Sequence, residues 1–254
     1  MNIFKKILLL LPLMIVSNLA YAVPAHIQGC DAREADGTTA CAFGAANTVN
    51  SLIACCIAIE DVSSTITGIT DTRGNTYSQA TSLLSWSGFN SRFQVWYAPG
   101  IASGSNTVSV ATSTNIDTQV LCEEYSGVKT SSPVDGTANS AETDNPITAA
   151  VTTTQASDLL FGCFMSNGGF GTAGTGYTPR NTAIFNVWQQ TEDQVAGAAG
   201  NYTASLTTVN TELGRGQLVA YLNDDPTPTP TNTPTRTPTN TPTHTPTNTP
   251  SGTP

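Results

Sequence analysis

The sequence predicts an all-β fold: a two-sheet antiparallel sandwich of jelly-roll type, with an immunoglobulin-like sandwich as the alternative. Three observations carry this. Short runs with apolar side chains at alternate positions recur about every 8–12 residues between residues 23 and 225. Turn residues separate them, as in Arg73-Gly74-Asn75, Gly88-Phe89-Asn90, Pro99-Gly100, Gly104-Ser105-Asn106, Ser132-Pro133 and the glycine-rich stretch 167–176. No stripe of 3.6-residue period stands out, so strands follow strands without intervening helices, which is the pattern of packed antiparallel sheets.

Taken in order, residues 1–22 read as a secretory signal peptide. Lys5 and Lys6 precede the apolar run 7–16, and Ala20-Tyr21-Ala22 is a small-x-small cleavage site. The run is well short of the ~20 apolar residues that span a bilayer, and no later segment is long and apolar enough, so no transmembrane segment is expected. Strand-like runs follow near 38–43, 51–60, 65–71, 76–85, 92–98, 106–112, 117–125, 147–154, 158–166, 185–191, 201–208 and 216–222. Together they make residues 23–225 one β-sandwich domain. From Pro226 the chain turns into tetrads such as TNTP, TRTP and THTP. Residues 226–254 are therefore expected to be a disordered, extended Thr/Pro-rich linker that joins the domain to a further module.

Charge narrows the function classes. All 18 acidic residues fall in 23–225, where only Arg33, Arg73, Arg92, Lys129, Arg180 and Arg215 are basic. An acidic body lacks the cationic footprint that nucleic acid requires. Its one histidine, His26, offers little general-base chemistry near neutral pH; the other, His244, lies in the linker.

Export permits disulfides. Among the six cysteines, Cys30 and Cys41 flank the polar loop DAREADGTTA and are the pair most expected to bond. Cys55 and Cys56 are neighbours on a strand and point to opposite faces. With Cys122 and Cys163 they read equally well as buried small hydrophobes, and the pairing is left open.

No catalytic residue and no protein-held metal is expected. The G-x-G-x-x-G at 169–174 runs into GTGYTPR, which is turn and strand chemistry, not the helix a dinucleotide site needs. Asp71-Thr72-Arg73-Gly74-Asn75 has oxygen donors for calcium but lacks the spacing of an EF-hand loop, so a hairpin turn explains it more simply. Glu123 and Glu124 face opposite ways and cannot be a facing carboxylate pair by themselves; a partner would have to be Glu192 or Asp193. Glu124, in phase with Val120 and Cys122, is expected to point inward toward an arginine.

The aromatic pattern points to binding. In FQVWY (93–97), Gln94 and Trp96 share the face opposite Phe93 and Val95. In FNVWQQ (185–190), Asn186, Trp188 and Gln190 share the face opposite Phe185 and Val187. If the Phe/Val faces are the core, Trp96, Trp188, Gln94, Asn186 and Gln190 form a solvent-facing platform. An indole covers the apolar face of a sugar ring and carboxamides bond its hydroxyls.

The strings ITDTRGNTY (69–77), VWYAPGIASGSNTVSV (95–110), EEYSGVKTSSPVD (123–135), AVTTTQASDLLFG (150–162), GTGYTPR (174–180) and TEDQVAGAAGNYTASLT (191–207) resemble a poorly characterised module of secreted bacterial multi-domain proteins. The resemblance spans roughly 48–222. It implies a β-sandwich, an extracellular or cell-surface setting in bacteria, and no catalytic residues. The combined expectation is a non-catalytic module that binds or adheres to extracellular polysaccharide or a cell surface. The alternatives are a secreted glycoside hydrolase and a purely structural spacer.

Overall fold

In the computed structural model, residues 23–224 are described except 36–37, 87–88, 143–144, 185–186 and 210–211; segments 1–22 and 226–254, which carry the expected signal peptide and linker, lie outside the described residues. The first half supplies β1 (Ala25–Glu34), β2 (Thr39–Ala42), β3 (Leu52–Ile59), β4 (Ile66–Asp71), β5 (Ser78–Gln79), β6 (Leu84–Trp86), β7 (Ser91–Ala98), β8 (Thr107–Thr112) and β9 (Thr118–Ser126). The second half supplies β10 (Val134–Asn139), β11 (Ile147–Thr153), β12 (Leu159–Ser166), β13 (Phe170–Ala173), β14 (Thr178–Ile184), β15 (Trp188–Val195), β16 (Gly200–Thr208) and β17 (Gly214–Tyr221).

The all-β sandwich expected from the sequence is what the chain forms, and its jelly-roll-like strand order occurs twice. In the first half the inner sheet runs β1-β9-β3-β7-β5, with β6 also on β7, and the outer sheet runs β2-β8-β4. In the second half the inner sheet runs β10-β17-β12-β15-β14 and the outer sheet β11-β16-β13. Counted within each half, with β5 and β6 as one broken strand, the two orders are the same. All named pairings are antiparallel.

Burial explains why two sandwiches form one object. The runs LIACCIAI (β3) and LLFGCFMS (β12) are buried at every position, the pattern of strands covered on both faces. Leu52, Ala54, Cys56, Phe93, Val95, Leu121 and Tyr125 of the first inner sheet meet Leu159, Phe161, Cys163, Met165, Val219 and Tyr221 of the second in a central core. The opposite faces fill two lateral cores under the outer sheets. One holds Ile53, Ile57, Ile59, Trp96, Val108 and Val110; the other holds Ile147, Val151, Leu160, Phe164, Leu206 and Leu218. The molecule is thus four layers deep: outer, inner, inner, outer.

Three disulfides follow this plan. Cys30–Cys41 ties β1 to β2, Cys55–Cys122 ties β3 to β9, and Cys56–Cys163 crosses the central core from one half to the other. Cys55 and Cys56 do point to opposite faces, one into a lateral core and one into the central core. Cys56 and Cys163 are each the fifth residue of an eight-residue third strand. Cys56 is flanked by Val95 and Leu121, and Cys163 by Thr191 and Gln217, at the corresponding places in β7, β9, β15 and β17. Equivalent residues bonded to each other lie on an approximate two-fold axis.

Candidate functional site

The four-layer arrangement decides which sequence candidates reach solvent. On β7, Phe93 and Val95 enter the central core as expected. Gln94 and Trp96 share the opposite face, but that face is roofed by β2-β8-β4. Trp96 is only 7% exposed and packs in the lateral core. Its indole N–H donates to Gln94 Oε1 at 2.9 Å, and Gln94 Nε2 donates to the Thr81 carbonyl at 2.6 Å. This corrects the expectation for Trp96 and Gln94: both are core residues, because a second sheet covers the face that a simple inside–outside alternation leaves to water.

β15 behaves differently. Gln189 Nε2 donates to Cys56 Sγ at 3.1 Å and Thr191 Oγ1 donates to Glu123 Oε1 at 2.7 Å, so the odd-numbered residues face the first half. Trp188, Gln190, Glu192 and Gln194 therefore line the other face. Trp188 is half-buried. It stands opposite Ile184 of β14, which is 47% exposed. The ring lies over Gly169, where an added Cβ would sit 3.6 Å from the indole and 3.5 Å from Val209, itself 45% exposed. Gln190 is only 5% exposed, and its Oε1 accepts from Thr182 Oγ1 at 3.3 Å, so the expectation that Gln190 faces solvent is corrected too: it lies beneath the β14 edge. Trp188 and Gln190 thus share one face; Trp96 and Gln94 lie on the far side of both inner sheets and cannot join them. Asn186 lies outside the described residues.

Under this row sits Glu192, fully buried. Its carboxyl fits because β12 carries glycine beside it: a Cβ on Gly162 would come within 2.9 Å of Glu192 Cγ. Burial, with the neighbouring Asp193 charge second, raises its pKa from 4.5 to about 8, so the group is largely neutral at pH 7. Neither its oxygens nor the buried Tyr177 hydroxyl has a hydrogen-bond partner among the described residues. Burial and the Glu192 charge push the Tyr177 pKa upward too.

A second polar group occupies the seam between the halves. His26 Nε2 is 2.8 Å from Glu123 Oε2, and Arg180 grips Asp193 through two bonds of 2.7 and 2.9 Å. The buried Tyr125 side chain lies between these pairs; desolvation, then the Asp193 and Glu123 charges, lift its pKa well above the usual value. The two carboxylates do converge here, and neither is free: Glu123 is held by His26 and Thr191, Asp193 by the guanidinium. Glu124 points the other way, inward as expected, but its partners are Gln28 Nε2 (2.7 Å), Asn47 Nδ2 (2.6 Å) and the Thr48 amide (2.6 Å), with no arginine among them.

The Asp71–Asn75 segment is a turn closed by its own carboxylate. Asp71 accepts from the Arg73 and Asn75 amides, Asn75 Nδ2, Tyr77 Oη and Asn106 Nδ2 at 2.7–3.0 Å. Gly74 takes the left-handed conformation at φ 72°. Burial alone would raise the Asp71 pKa, but the bonds from Asn106, Asn75 and Tyr77 bring it below the ordinary value. Five donors already surround this carboxylate, which leaves little oxygen lone-pair capacity for calcium.

Sequence reasoning missed Glu192 as part of the β15 row, although its phase with Trp188 and Gln190 is visible. It also missed Ile184 and Val209, which only β14 and the β16 end bring beside the indole. Comparison of the chain with protein-family models, with curated proteins and with solved structures finds no match.

Proposed function

We propose that the chain is an exported module that binds extracellular glycan without catalysis, through the β14–β15 face of its second half. The observation that carries this reading is the half-buried Trp188 within an apolar rim of Ile184 and Val209, with Thr182 and Gln194 along the same face. Such a row supplies a flat apolar surface and hydrogen-bonding groups at the edge of one pyranose ring. Three disulfides suit an oxidising compartment. No helix among the described residues is long and apolar enough to cross a membrane.

Retention on a panel of insoluble polysaccharides tests the proposal. Trp188→Ala should weaken retention about tenfold or more, on the order of 1.4 kcal/mol, while Val49→Ala, at a remote exposed site, should not. Retention that survives Trp188→Ala overturns it. A glycoside hydrolase reading rests on the convergence of Glu123 and Asp193 at the seam. Its test is separate: sugar release abolished by Glu123→Gln would install that reading instead.

A further inference from the structure

A different corner carries chemistry independent of the glycan reading. Cys30 on β1, Cys122 on β9 and Cys55 on β3 stand directly opposite one another in a single cross-strand row. Cys41 descends onto this row from β2 in the facing outer sheet. The sulfurs of Cys30, Cys41 and Cys122 all lie within 4.8 Å of one another, and Cys55 is bonded to Cys122. Four of the chain's six cysteines thus meet at one point of the first lateral core.

The second half shows what this corner needs for packing alone. Ala138 and Leu218 pair there as Cys30 and Cys122 do here, and Gly162 pairs with Leu218 as Cys55 does with Cys122. No sulfur is required to fill that place in the fold.

We propose that, when its two disulfides are reduced, this corner is a four-thiolate site for a thiophilic divalent cation, zinc in the first instance, with Cys30, Cys41, Cys55 and Cys122 as ligands. A tetrahedral zinc–thiolate centre has Zn–S bonds of about 2.3 Å, hence sulfur–sulfur edges of about 3.8 Å. Three of the four sulfurs already lie within 4.8 Å of one another, and the fourth, of Cys55, lies beside that of Cys122. Three ligands come from adjacent strands of one rigid sheet and the fourth from the sheet that roofs it. The chemistry balances: for each disulfide a phosphine gives up two electrons and becomes the phosphine oxide, water supplying its oxygen and the two protons, or a pair of small thiols gives two electrons and two protons and becomes a disulfide; four protein thiols result. The cation then displaces four protons to solvent as the thiolates bind it. Two equivalents of a small-molecule disulfide, each reduced to two thiols with protons from solvent, reverse this, restoring Cys30–Cys41 and Cys55–Cys122 and releasing the ion. The corner is therefore a site whose occupancy is set by redox state.

The experiment uses the full chain, reduced with a non-coordinating phosphine and titrated with Co2+ as a spectroscopic probe. The expected result is intense visible absorption typical of tetrahedral thiolate coordination, saturating at one ion per chain and bleached by Zn2+. Cys41→Ala and Cys122→Ala should each abolish it, and the double variant Cys56→Ala, Cys163→Ala should retain it. As a measurement on the unaltered chain, Zn2+ should shield four thiols from alkylation and leave two reactive. Absence of the absorption in the reduced chain, its persistence without Cys41 and Cys122, or equal alkylation of all six thiols with zinc present overturns the proposal.

Discussion

Glu192 and Asp71 show how one residue type takes opposite roles in this molecule. Glu192 is buried with no hydrogen-bond partner among the described residues, and its pKa rises to about 8. A raised carboxyl pKa means that the folded state holds a proton the unfolded state gives up. The associated stability is complete below about pH 4.5 and is lost as pH climbs through 8. Asp158, raised to about 7 by burial and by sharing a hydrogen bond with Asp135, adds to the same decline. Glu192→Gln, which cannot ionise, is expected to match the parent near pH 5 and to exceed its melting temperature at pH 8.5. A thermal-melt series across that range checks it, and parallel pH profiles for both proteins would refute it. Asp71 has the contrary sign: its lowered pKa stabilises the fold above its unfolded value and is lost on acidification. Asp71→Ala strands several donors at once and is expected to cost about 1–3 kcal/mol in urea denaturation, with the deficit shrinking toward pH 3. At this scale the sequence was legible in phase but not in environment. The alternation correctly put Trp96 opposite Phe93 and Trp188 opposite Val187, yet no local signal distinguishes a face roofed by another sheet from one open to water.

Among the elements, strands with strong apolar content were readable: β3, β7, β9 and β12 lie within a residue or two of the runs expected for them. β1 (AHIQGCDARE) and β10 (VDGTAN) were not, because both are polar edge strands whose pairing partners, β9 and β17, come much later in the chain. β13 and β14 were hidden by glycine, proline and threonine, residues that favour turns until a neighbouring strand supplies the ladder. The continuous apolar runs of β3 and β12 held more than was taken from them. Such runs mark strands buried on both faces, and a two-layer sandwich has no place for them. The Cys56–Cys163 bond joins these two strands across 107 residues of chain. Replacing both by alanine is expected to lower stability by about 2–4 kcal/mol, chiefly through the longer reach of the unfolded chain. Guanidinium unfolding would show this as a reduced midpoint; an unchanged midpoint would mean that the central core alone holds the halves.

At the scale of the whole molecule, the doubled strand order explains why a body of this length carries three cores. Neither half is complete: each inner sheet turns an apolar face, Leu52, Phe93, Val95, Leu121 and Tyr125 in the first, toward its counterpart. The repeat was not legible because the halves share pattern rather than residues; LIACCIAI and LLFGCFMS have one cysteine in register and little else alike. The approximate two-fold axis through Cys56 and Cys163 has a consequence that can be measured. A fragment spanning residues 23–128 would expose its central face, and a second copy is the surface most nearly complementary to it, since the second half already approximates a rotated copy of the first. An isologous dimer places each residue on the axis against itself, so Cys56 would meet Cys56. The isolated first half is therefore expected to run as a dimer in size-exclusion chromatography and to become covalently linked under mild oxidation. Cys56→Ala should abolish the covalent link while leaving the association. A monomeric, soluble fragment with Cys56 unlinked would show that the central core is a loose contact between two self-sufficient sandwiches, not the shared interior on which the four-layer fold depends.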